Sequence, residues 1–229
     1  MHDPDAFIRA NTVIAALPSV PEIRLHLADE VTDLWNKTET DLESLGLPPP
    51  FWAFAWVGGQ GIARYLLDHP ARIAGLKVLD FACGSGLVGI AAMKAGTLRV
   101  DAVDIDPFAI AATMLNAALN GVTIHATRED VIGTDQGWDI ILAGDVFYER
   151  DMVARVTPWL AALAARGALV LIGDPRRSFL PSVHLTELAA YDIATTRAIE
   201  DSDTKRSFVF RVDNPKIPPI RAELFPMSW

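Results

Sequence analysis

Short apolar runs alternate with helical stretches from residue 76 onward, and this alternation predicts the fold. Apolar runs of the length expected for buried parallel strands occupy residues 76–82, 98–103, 122–126, 138–143 and 168–172. Helical patterns lie between or after them, at residues 87–95, 106–120, 150–165 and 178–185. Strands and helices that alternate with short connections predict a doubly wound α/β sheet with helices on both faces.

Two further strands complete the predicted sheet. Residues 188–195 read as a strand, and apolar side chains alternate with polar ones over residues 205–212. The segment 196–204 between them is too short and polar for a crossover helix, so this pair is predicted to be antiparallel. We therefore expect seven strands in a mostly parallel sheet whose last strand is antiparallel.

The first fifty residues follow a different pattern. Apolar positions predict a helix over residues 3–17, which ends before Pro18, and a second helical stretch over 21–27. Residues 36–50 are polar and then proline-rich, which is typical of a linker. We expect a helical extension and linker over 1–50, a ligand-binding domain over 51–213 and an irregular tail over 214–229.

Composition and charge narrow the classes of protein. The chain has 229 residues, of which 51% are hydrophobic, and this suits one domain with a large core. No apolar run approaches the roughly 20 residues that span a bilayer, and no signal or transit peptide is evident, so we expect a cytoplasmic protein without a membrane partner. A net charge of −9 argues against binding to nucleic acid. The single cysteine excludes an internal disulfide and fits a reducing compartment.

A glycine loop follows the first strand of the predicted sheet. Gly84, Gly86 and Gly89 satisfy the pattern G-x-G-x-x-G, and Asp104 lies 20 residues after Gly84. Such glycines let the backbone approach a ligand closely, in nicotinamide enzymes and in S-adenosylmethionine-dependent methyltransferases alike. The loop leaves three alternatives, which are a dehydrogenase, a methyltransferase and a turn that holds no ligand.

Three observations favour the methyltransferase. Asp80 lies four residues before Gly84, where its carboxylate would repel a diphosphate but attract the ammonium group of a methionine moiety. A chain of 229 residues leaves little room for a separate substrate domain. A terminal antiparallel hairpin is what methyltransferases of this fold add to the sheet.

Several motifs resemble one family of methyltransferases. Residues 80–86, Asp-Phe-Ala-Cys-Gly-Ser-Gly, resemble motif I of the seven-β-strand, Rossmann-like (class I) methyltransferases, and residues 103–107 resemble their second-strand motif. Residues 144–149, Gly-Asp-Val-Phe-Tyr-Glu, resemble the D-x-x-Y element after the fourth strand in the lysine methyltransferase branch. The lead-in at 51–61 and Gly-Asp-Pro at 173–175 are similar to those of the electron transfer flavoprotein β-subunit lysine methyltransferases.

This resemblance implies a bacterial enzyme that methylates lysine ε-amines on the electron transfer flavoprotein β subunit. It implies S-adenosylmethionine as cofactor and S-adenosylhomocysteine as product, and we expect a monomer. Cofactor contacts are expected from Trp56, Gln60, Asp80, Ala82, Gly84, Gly86, Asp104, Ile105, Asp130 and Val131. Catalytic roles are expected for Asp145, Tyr148 and Glu149.

Methylation of a lysine requires its neutral amine. A free lysine has a pKa of about 10.4, so roughly one in a thousand is neutral near physiological pH. A nearby carboxylate stabilises the ammonium form and raises the lysine pKa. We therefore hypothesise that Asp145 binds and aims the lysine, that Tyr148 lines its channel, and that Glu149 offers a second proton acceptor. The alternative is that Asp145 only caps the following helix.

The other reactive side chains have structural interpretations. Cys83 is expected to pack as a small residue, and Arg176 and Arg177 to lie in a solvated loop. His125 and His184 lack metal-ligand spacing, so no metal site is expected. Two other functions stay open at this point, a small-molecule or nucleic-acid N-methyltransferase of the same fold and a non-catalytic cofactor-binding interaction protein.

Overall fold

The structure is a computed structural model that describes residues 3–28, 34, 49–181, 184–195 and 202–214. Short 3₁₀ helices at Phe51–Ala53 and Pro70–Arg72 flank the α-helix Val57–Asp68. No helix within the described ranges is long and apolar enough to cross a membrane. The elements are, in chain order, α1 (Pro4–Asn11), β1 (Val13–Leu17), β2 (Val20–Leu27), α2 (Val57–Asp68), β3 (Lys77–Phe81), α3 (Leu87–Lys94), β4 (Arg99–Asp104), α4 (Pro107–Leu119), β5 (His125–Arg128), β6 (Ile140–Gly144), α5 (Arg150–Arg166), β7 (Leu169–Asp174), β8 (Leu185–Ala194) and β9 (Thr204–Val212).

Strands β3 to β9 form one sheet in the order β5-β4-β3-β6-β7-β9-β8. Strand β3 pairs in parallel with β4 and β6, β4 pairs in parallel with β5, and β6 with β7. Strand β9 is antiparallel to both of its neighbours, β7 and β8. These pairings confirm the predicted seven-stranded, mostly parallel sheet with an antiparallel last strand.

Helices cover both faces of the sheet, as the alternation predicted. Neighbouring residues of a strand point to opposite faces. Val78 of β3 packs in an apolar cluster with Ile62 of α2 and Ile90 of α3. Leu79, the next residue, packs in a second cluster with Trp159 of α5. The central strands are apolar on both faces because both faces are covered.

The strand order reverses between β3 and β6. The chain runs from β3 outward through β4 to β5 and then returns to β6 on the other side of β3. The loops that leave the carboxyl ends of β3 and β6 therefore diverge, and an open α/β sheet binds its ligands in the crevice between such loops. Ala82 begins the loop after β3, and Asp145 begins the loop after β6. The two sets of predicted site residues meet at this reversal.

Helix α2 closes one side of the crevice through backbone contacts at glycine positions. A Cβ atom at Gly58 would overlap the carbonyl oxygen of Gly173 at the end of β7. A Cβ atom at Gly144 would lie 2.9 Å from the Cα of Gly59. Only glycine tolerates such an approach of one backbone to another. The N-terminus of α2 therefore lies directly against the carboxyl ends of β6 and β7.

The predicted helices over residues 3–17 and 21–27 are wrong beyond residue 11. Helix α1 ends at Asn11, and β1 and β2 form an antiparallel hairpin. Val20, Ile23 and Leu25 are buried, and their spacing fits a helix as well as a strand. Tertiary contacts favour the strand, because the backbone N–H of His26 donates to Oδ1 of Asn116 in α4 at 2.8 Å. The N-terminal extension is thus a helix followed by a hairpin.

Two other predicted elements differ from the structure. No helix forms in the described part of 178–185, where Pro181 disfavours helical backbone at the residue before it and β8 begins at Leu185. The third strand begins at His125 instead of residue 122. Its start is delayed because the N–H of Val122 still donates to the carbonyl of Ala117 and closes the end of α4.

Parts of the predicted domain division lie outside the described residues. This applies to the linker over 36–50 apart from its last two residues, and to the tail over 214–229 apart from Asn214. The described part of the extension packs on the α/β domain. Phe7 of α1 contacts the ring of Phe108 in α4, with 5.3 Å between ring centroids.

The contact of α2 with β7 yields a test of stability. The change Gly58→Ala is expected to lower the free energy of unfolding by roughly 2 kcal/mol or more, because the new methyl group meets backbone that cannot turn away. Gly59→Ala is the matched control, since its Cβ would lie at an ordinary 3.6 Å from Cγ2 of Val88. Urea unfolding of both variants measures the difference, and equal losses would contradict the close approach at Gly58.

Candidate active site

A cleft opens where the strand order reverses, and the space between its walls, open solvent at the mouth included, is about 380 Å³. Its wall combines the glycine loop after β3, the start of α2 and the ends of β3 and β6. Predicted cofactor residues contribute Trp56, Asp80, Ala82 and Gly84, and the predicted catalytic residue Asp145 lies at the opposite wall. The remaining lining residues are Phe54, Ala55, Gly59, Cys83, Ser85, Leu87, Val88 and Gly144.

The loop after β3 turns tightly and presents backbone to the cleft. Ala82, Gly84 and Gly86 have φ angles of 54°, 52° and 77°, in the left-handed region that favours glycine. A Cβ at Gly86 would also lie 3.0 Å from the Cα of Thr113 in α4. Cys83 is buried and accepts a hydrogen bond from the hydroxyl of Thr113. The loop thus forms a cradle that has no side chain at Gly84 or Gly86.

Asp80 places a buried carboxyl group under this cradle. Its side chain is only 2% exposed, and Oδ2 accepts the backbone N–H of Gly89 at 2.8 Å. Burial, together with the nearby Asp104, raises the pKa of Asp80 to about 8 against the bond from Gly89, which lowers it. A cation in the cleft would stabilise the ionised form, so the site fits an ammonium group and not a diphosphate.

Asp104 ends β4 beside the same loop. Its Oδ2 accepts the N–H of Gly84 and its Oδ1 accepts the N–H of Asp106, each at 3.0 Å. Burial raises the pKa of Asp104, against the lowering by these bonds. Asp106 caps α4 by accepting the N–H of Phe108. Ile105 between them is exposed at the surface.

Three predicted cofactor residues point elsewhere. The amide of Gln60 accepts the hydroxyl of Ser19 through Oε1 and donates from Nε2 to the carbonyl of Ala55, so it ties the β1–β2 turn to the start of α2. Asp130 forms an ion pair with Arg155, which lowers the pKa of Asp130. Val131 is fully buried in the cluster beneath α5.

Asp145 is held by two positive partners. Its Oδ2 accepts the N–H of Gly59 at the start of α2 at 2.8 Å, and its Oδ1 pairs with Nη2 of Arg177 at 3.1 Å. Its backbone has a φ of 58°, and its own N–H donates to the carbonyl of Gly173. Burial raises the pKa of Asp145 to about 6, opposed by Arg177 and by the N–H groups of Gly59 and Gly58.

The alternative prediction for Asp145, that it only caps the following helix, is wrong. Asp145 does not cap the helix that follows it, because α5 starts at Arg150 with Glu149 in the cap position. It accepts from the N-terminus of α2, which precedes it by more than eighty residues in the chain. The fixed carboxylate lines the cleft opposite the glycine loop.

The sequence predicted a solvated loop at Arg177 and therefore no role for it in the site. Its side chain is 24% exposed and lies between Asp145 and Trp56, with 6.0 Å from its Cζ to the ring centroid of Trp56. The pairing of β6 with β7 is the feature that could have located Arg177 at the site. Parallel neighbours end at the same edge of a sheet, so a residue shortly after β7 falls near the first residue after β6.

An aromatic rim borders the mouth of the cleft. The ring of Phe51 lies 5.9 Å from that of Trp56 and 6.1 Å from that of Tyr148, centroid to centroid. Phe51 and Tyr148 are each about half exposed, and burial raises the pKa of the Tyr148 hydroxyl, helped by Glu149 and Asp104. Glu149 is exposed beside it. Tyr148 and Glu149 thus lie at the rim, and Asp145 lies deeper.

The residues present fit S-adenosylmethionine. Gly84 lines the cleft with backbone alone, and Gly86 lets the loop pack closely on Thr113 of α4. A buried carboxyl at Asp80 suits an ammonium group, and Asp104 suits hydroxyl groups. The sheet order, the antiparallel last strand and this site together define a class I S-adenosylmethionine-dependent methyltransferase.

Comparisons with known proteins identify the family within this class of methyltransferase. The family described as ribosomal protein L11 methyltransferase matches residues 65–168. The electron transfer flavoprotein β-subunit lysine methyltransferase of Xenopus laevis is 38% identical over 205 residues, which are 86% of this chain and 82% of that protein. The human protein of the same name is 33% identical over 91% of this chain and 82% of its own length. The solved ribosomal protein L11 methylase of Lactobacillus delbrueckii subsp. bulgaricus shares the fold, with a TM-score of 0.50 at 21% identity over 70% of this chain and 81% of that one.

The chain therefore belongs to the electron transfer flavoprotein β-subunit lysine methyltransferase family. It is an S-adenosylmethionine-dependent protein-lysine methyltransferase. The family, the fold and the cofactor expected from its motifs are confirmed.

The buried carboxyl of Asp80 predicts a pH dependence of stability. Folded Asp80 keeps its proton up to about pH 8, whereas an unfolded aspartate loses it near pH ~4. The folded state thus binds more protons between these values, and the free energy of unfolding falls as the pH rises. Asp80→Asn has no such proton, so its stability relative to the unchanged protein should increase from about pH 5 to about pH 8.

Urea unfolding of the cofactor-free protein measures this difference. Asp151→Asn, at an exposed position in the first turn of α5, is the control for an aspartate-to-asparagine change outside the cleft. An Asp80→Asn difference that stays constant across the interval would mean that Asp80 is ionised throughout it.

Proposed function

We propose that this enzyme transfers methyl groups from S-adenosylmethionine to lysine ε-amines of the electron transfer flavoprotein β subunit. The observation that carries the proposal is Asp145, a carboxylate fixed by the N-terminus of α2 in a cleft that also contains Asp80 and the glycine loop. The names of the relatives from frog and human support the choice of substrate. The net charge of −9 favours a basic protein surface over nucleic acid as the partner.

Four groups in or beside the cleft are proposed to hold the cofactor. Asp80 would meet the methionine ammonium, the backbone of Gly84 and Gly86 would lie against the nucleoside part, and Asp104 would accept from the ribose hydroxyls. Trp56 would form the wall at the methionine end. When bound, S-adenosylmethionine supplies an activated methyl group on a sulfonium.

The adenine end is proposed to lie beyond Asp104. Ile105 is exposed there and offers apolar surface to the ring. Asp130 lies two residues after the neighbouring strand β5 and would accept from the adenine amino group beside or in place of Arg155. Val131 would support this turn from the core. Gln60 would act indirectly, by holding Ala55 and the start of α2 in place.

The lysine is proposed to enter past the aromatic rim. Phe51 and Tyr148 offer apolar faces to its alkyl stem, and such faces also attract a cation while the amine is still charged. Asp145 would accept a hydrogen bond from the amine and aim it, and Glu149 at the rim would receive the proton on its way to water. Holding the amine in line with the methyl group and the sulfur can lower the activation free energy by roughly 7–11 kcal/mol.

The protein is also proposed to act as a monomer in a bacterial cytoplasm. A reducing compartment suits the single, buried thiol of Cys83, whose pKa is raised well above its usual value by burial.

Methyl transfer to the purified flavoprotein β subunit tests this function. With labelled S-adenosylmethionine, label is expected on lysine side chains of that subunit, located by mass spectrometry. Asp145→Asn is expected to lower turnover by about 100-fold or more while S-adenosylmethionine still binds, because the amide has a single acceptor oxygen, for which the N–H of Gly59 and Arg177 compete with the amine. Asp151→Asn in the first turn of α5 is the matched control and should methylate at the normal rate.

A parallel assay with a bacterial lysate distinguishes methylation of protein from methylation of small molecules or nucleic acid. Label confined to small molecules or to nucleic acid would overturn the proposed substrate. Full turnover by the Asp145→Asn variant would overturn the role of Asp145 and leave the substrate unaffected.

A further inference from the structure

The pair of Asp145 and Arg177 is largely removed from water at the cleft wall. The Asp145 side chain is 10% exposed and that of Arg177 is 24% exposed. Arg177 is held on three sides, because its backbone N–H donates to Oδ1 of Asp174 at 2.6 Å and its guanidinium lies between Asp145 and the ring of Trp56. The proposed cofactor and lysine sites both border this pair. The charges of Asp145 and Arg177 therefore act on a cofactor or a lysine that binds in the cleft.

A lone carboxylate at this position would hinder the proposed reaction. It would stabilise the lysine ammonium and raise the lysine pKa, although the reaction needs the neutral amine. Low dielectric strengthens the effect, because the pair lies away from bulk water. The enzyme needs an acceptor at Asp145 that orients the amine but carries little net charge.

The surroundings of Asp145 supply this compensation. Positive potential comes from the Arg177 guanidinium on Oδ1 and from the N-terminus of α2 on Oδ2. We propose that Arg177 is a positioning residue that neutralises Asp145, so that Asp145 aims the substrate lysine without holding it in the charged, unreactive form. This proposal rests on the proposed lysine methylation.

The other ionisable groups around the cleft do not provide this neutralisation. Asp80 of β3 and Asp104 of β4 are carboxyl groups, as are Asp174 at the end of β7 and Glu149 at the rim. Cys83 and Tyr148 are neutral acids whose pKa values burial raises. Helix α2 faces Asp145 with backbone N–H groups only at Gly58 and Gly59. Arg177 is the side chain whose charge opposes the burial of Asp145.

The pH dependence of the single-turnover rate tests the proposal. The rate is measured at saturating flavoprotein β subunit and S-adenosylmethionine, where the profile reports groups of the bound complex. In Arg177→Gln the uncompensated carboxylate holds the lysine proton more firmly, so the ascending limb of the profile, which reports loss of that proton, should move up by about one pH unit and the rate near neutral pH should fall about tenfold. Arg177→Lys restores a positive charge and should restore the position of the limb.

Arg176→Gln is the matched control. Arg176 is adjacent in the chain but stacks on Phe208 and pairs with Glu187, away from Asp145. Its profile should coincide with that of the unchanged enzyme. Arg177→Met, which keeps the stem beside Trp56, serves as a second neutral variant if the glutamine variant does not fold. A rate that falls equally at every pH, with no movement of the limb, would show that Arg177 only supports the loop and would overturn the proposal.

A measurement without the reaction gives an independent readout. Carbon-13 NMR of labelled aspartate follows the Asp145 carboxyl, assigned by its absence from Asp145→Asn. The pKa of Asp145, about 6 in the unchanged protein, should rise in Arg177→Gln and stay in place in Arg176→Gln. An unmoved Asp145 titration would overturn the neutralisation. Absence of lysine methylation by the unchanged enzyme would instead contradict the proposed function, which separates the two failures.

Discussion

The N-terminus of α2 lies on the carboxyl ends of β6 and β7 with no side chain between the backbones. Gly58 meets Gly173, and Gly144 meets Gly59, at distances that exclude a Cβ atom. This approach brings the first free N–H groups of the helix onto the carboxylate of Asp145. The position of the proposed catalytic carboxylate, the near wall of the cleft and the aromatic rim ahead of α2 all depend on this contact.

A second constraint is the cost of burying carboxyl groups. Asp80, Asp104 and Asp145 all lie around the cleft, and burial raises the pKa of each against the hydrogen bonds that lower it. Such groups are poorly satisfied by the protein alone, and a cationic ligand relieves them. The site is therefore electrostatically prepared for a cofactor that carries an ammonium and a sulfonium. Only Asp145 has a neighbouring guanidinium, among the interactions described for these three carboxyl groups.

Much of the fold and of the cofactor site could be predicted from the sequence. The strands around Asp80 and Asp104 are short apolar runs followed by glycine or by an Asp-Pro helix start, and these signals are local. The N-terminal hairpin could not be predicted in this way. The spacing of Val20, Ile23 and Leu25 is compatible with two periods, and the bond from His26 to Asn116 joins residues 90 positions apart.

The sequence by itself determined the class of enzyme, because backbone conformation at Gly84 and Gly86 and the carboxyls of Asp80 and Asp104 follow from residues close in the chain. Only the tertiary structure decided what surrounds Asp145. Gly59 and Arg177 reach it from helix α2 and from the loop after β7, and neither is near it in sequence. The order of strands in a sheet creates such neighbours, and that order is set by packing across the whole domain.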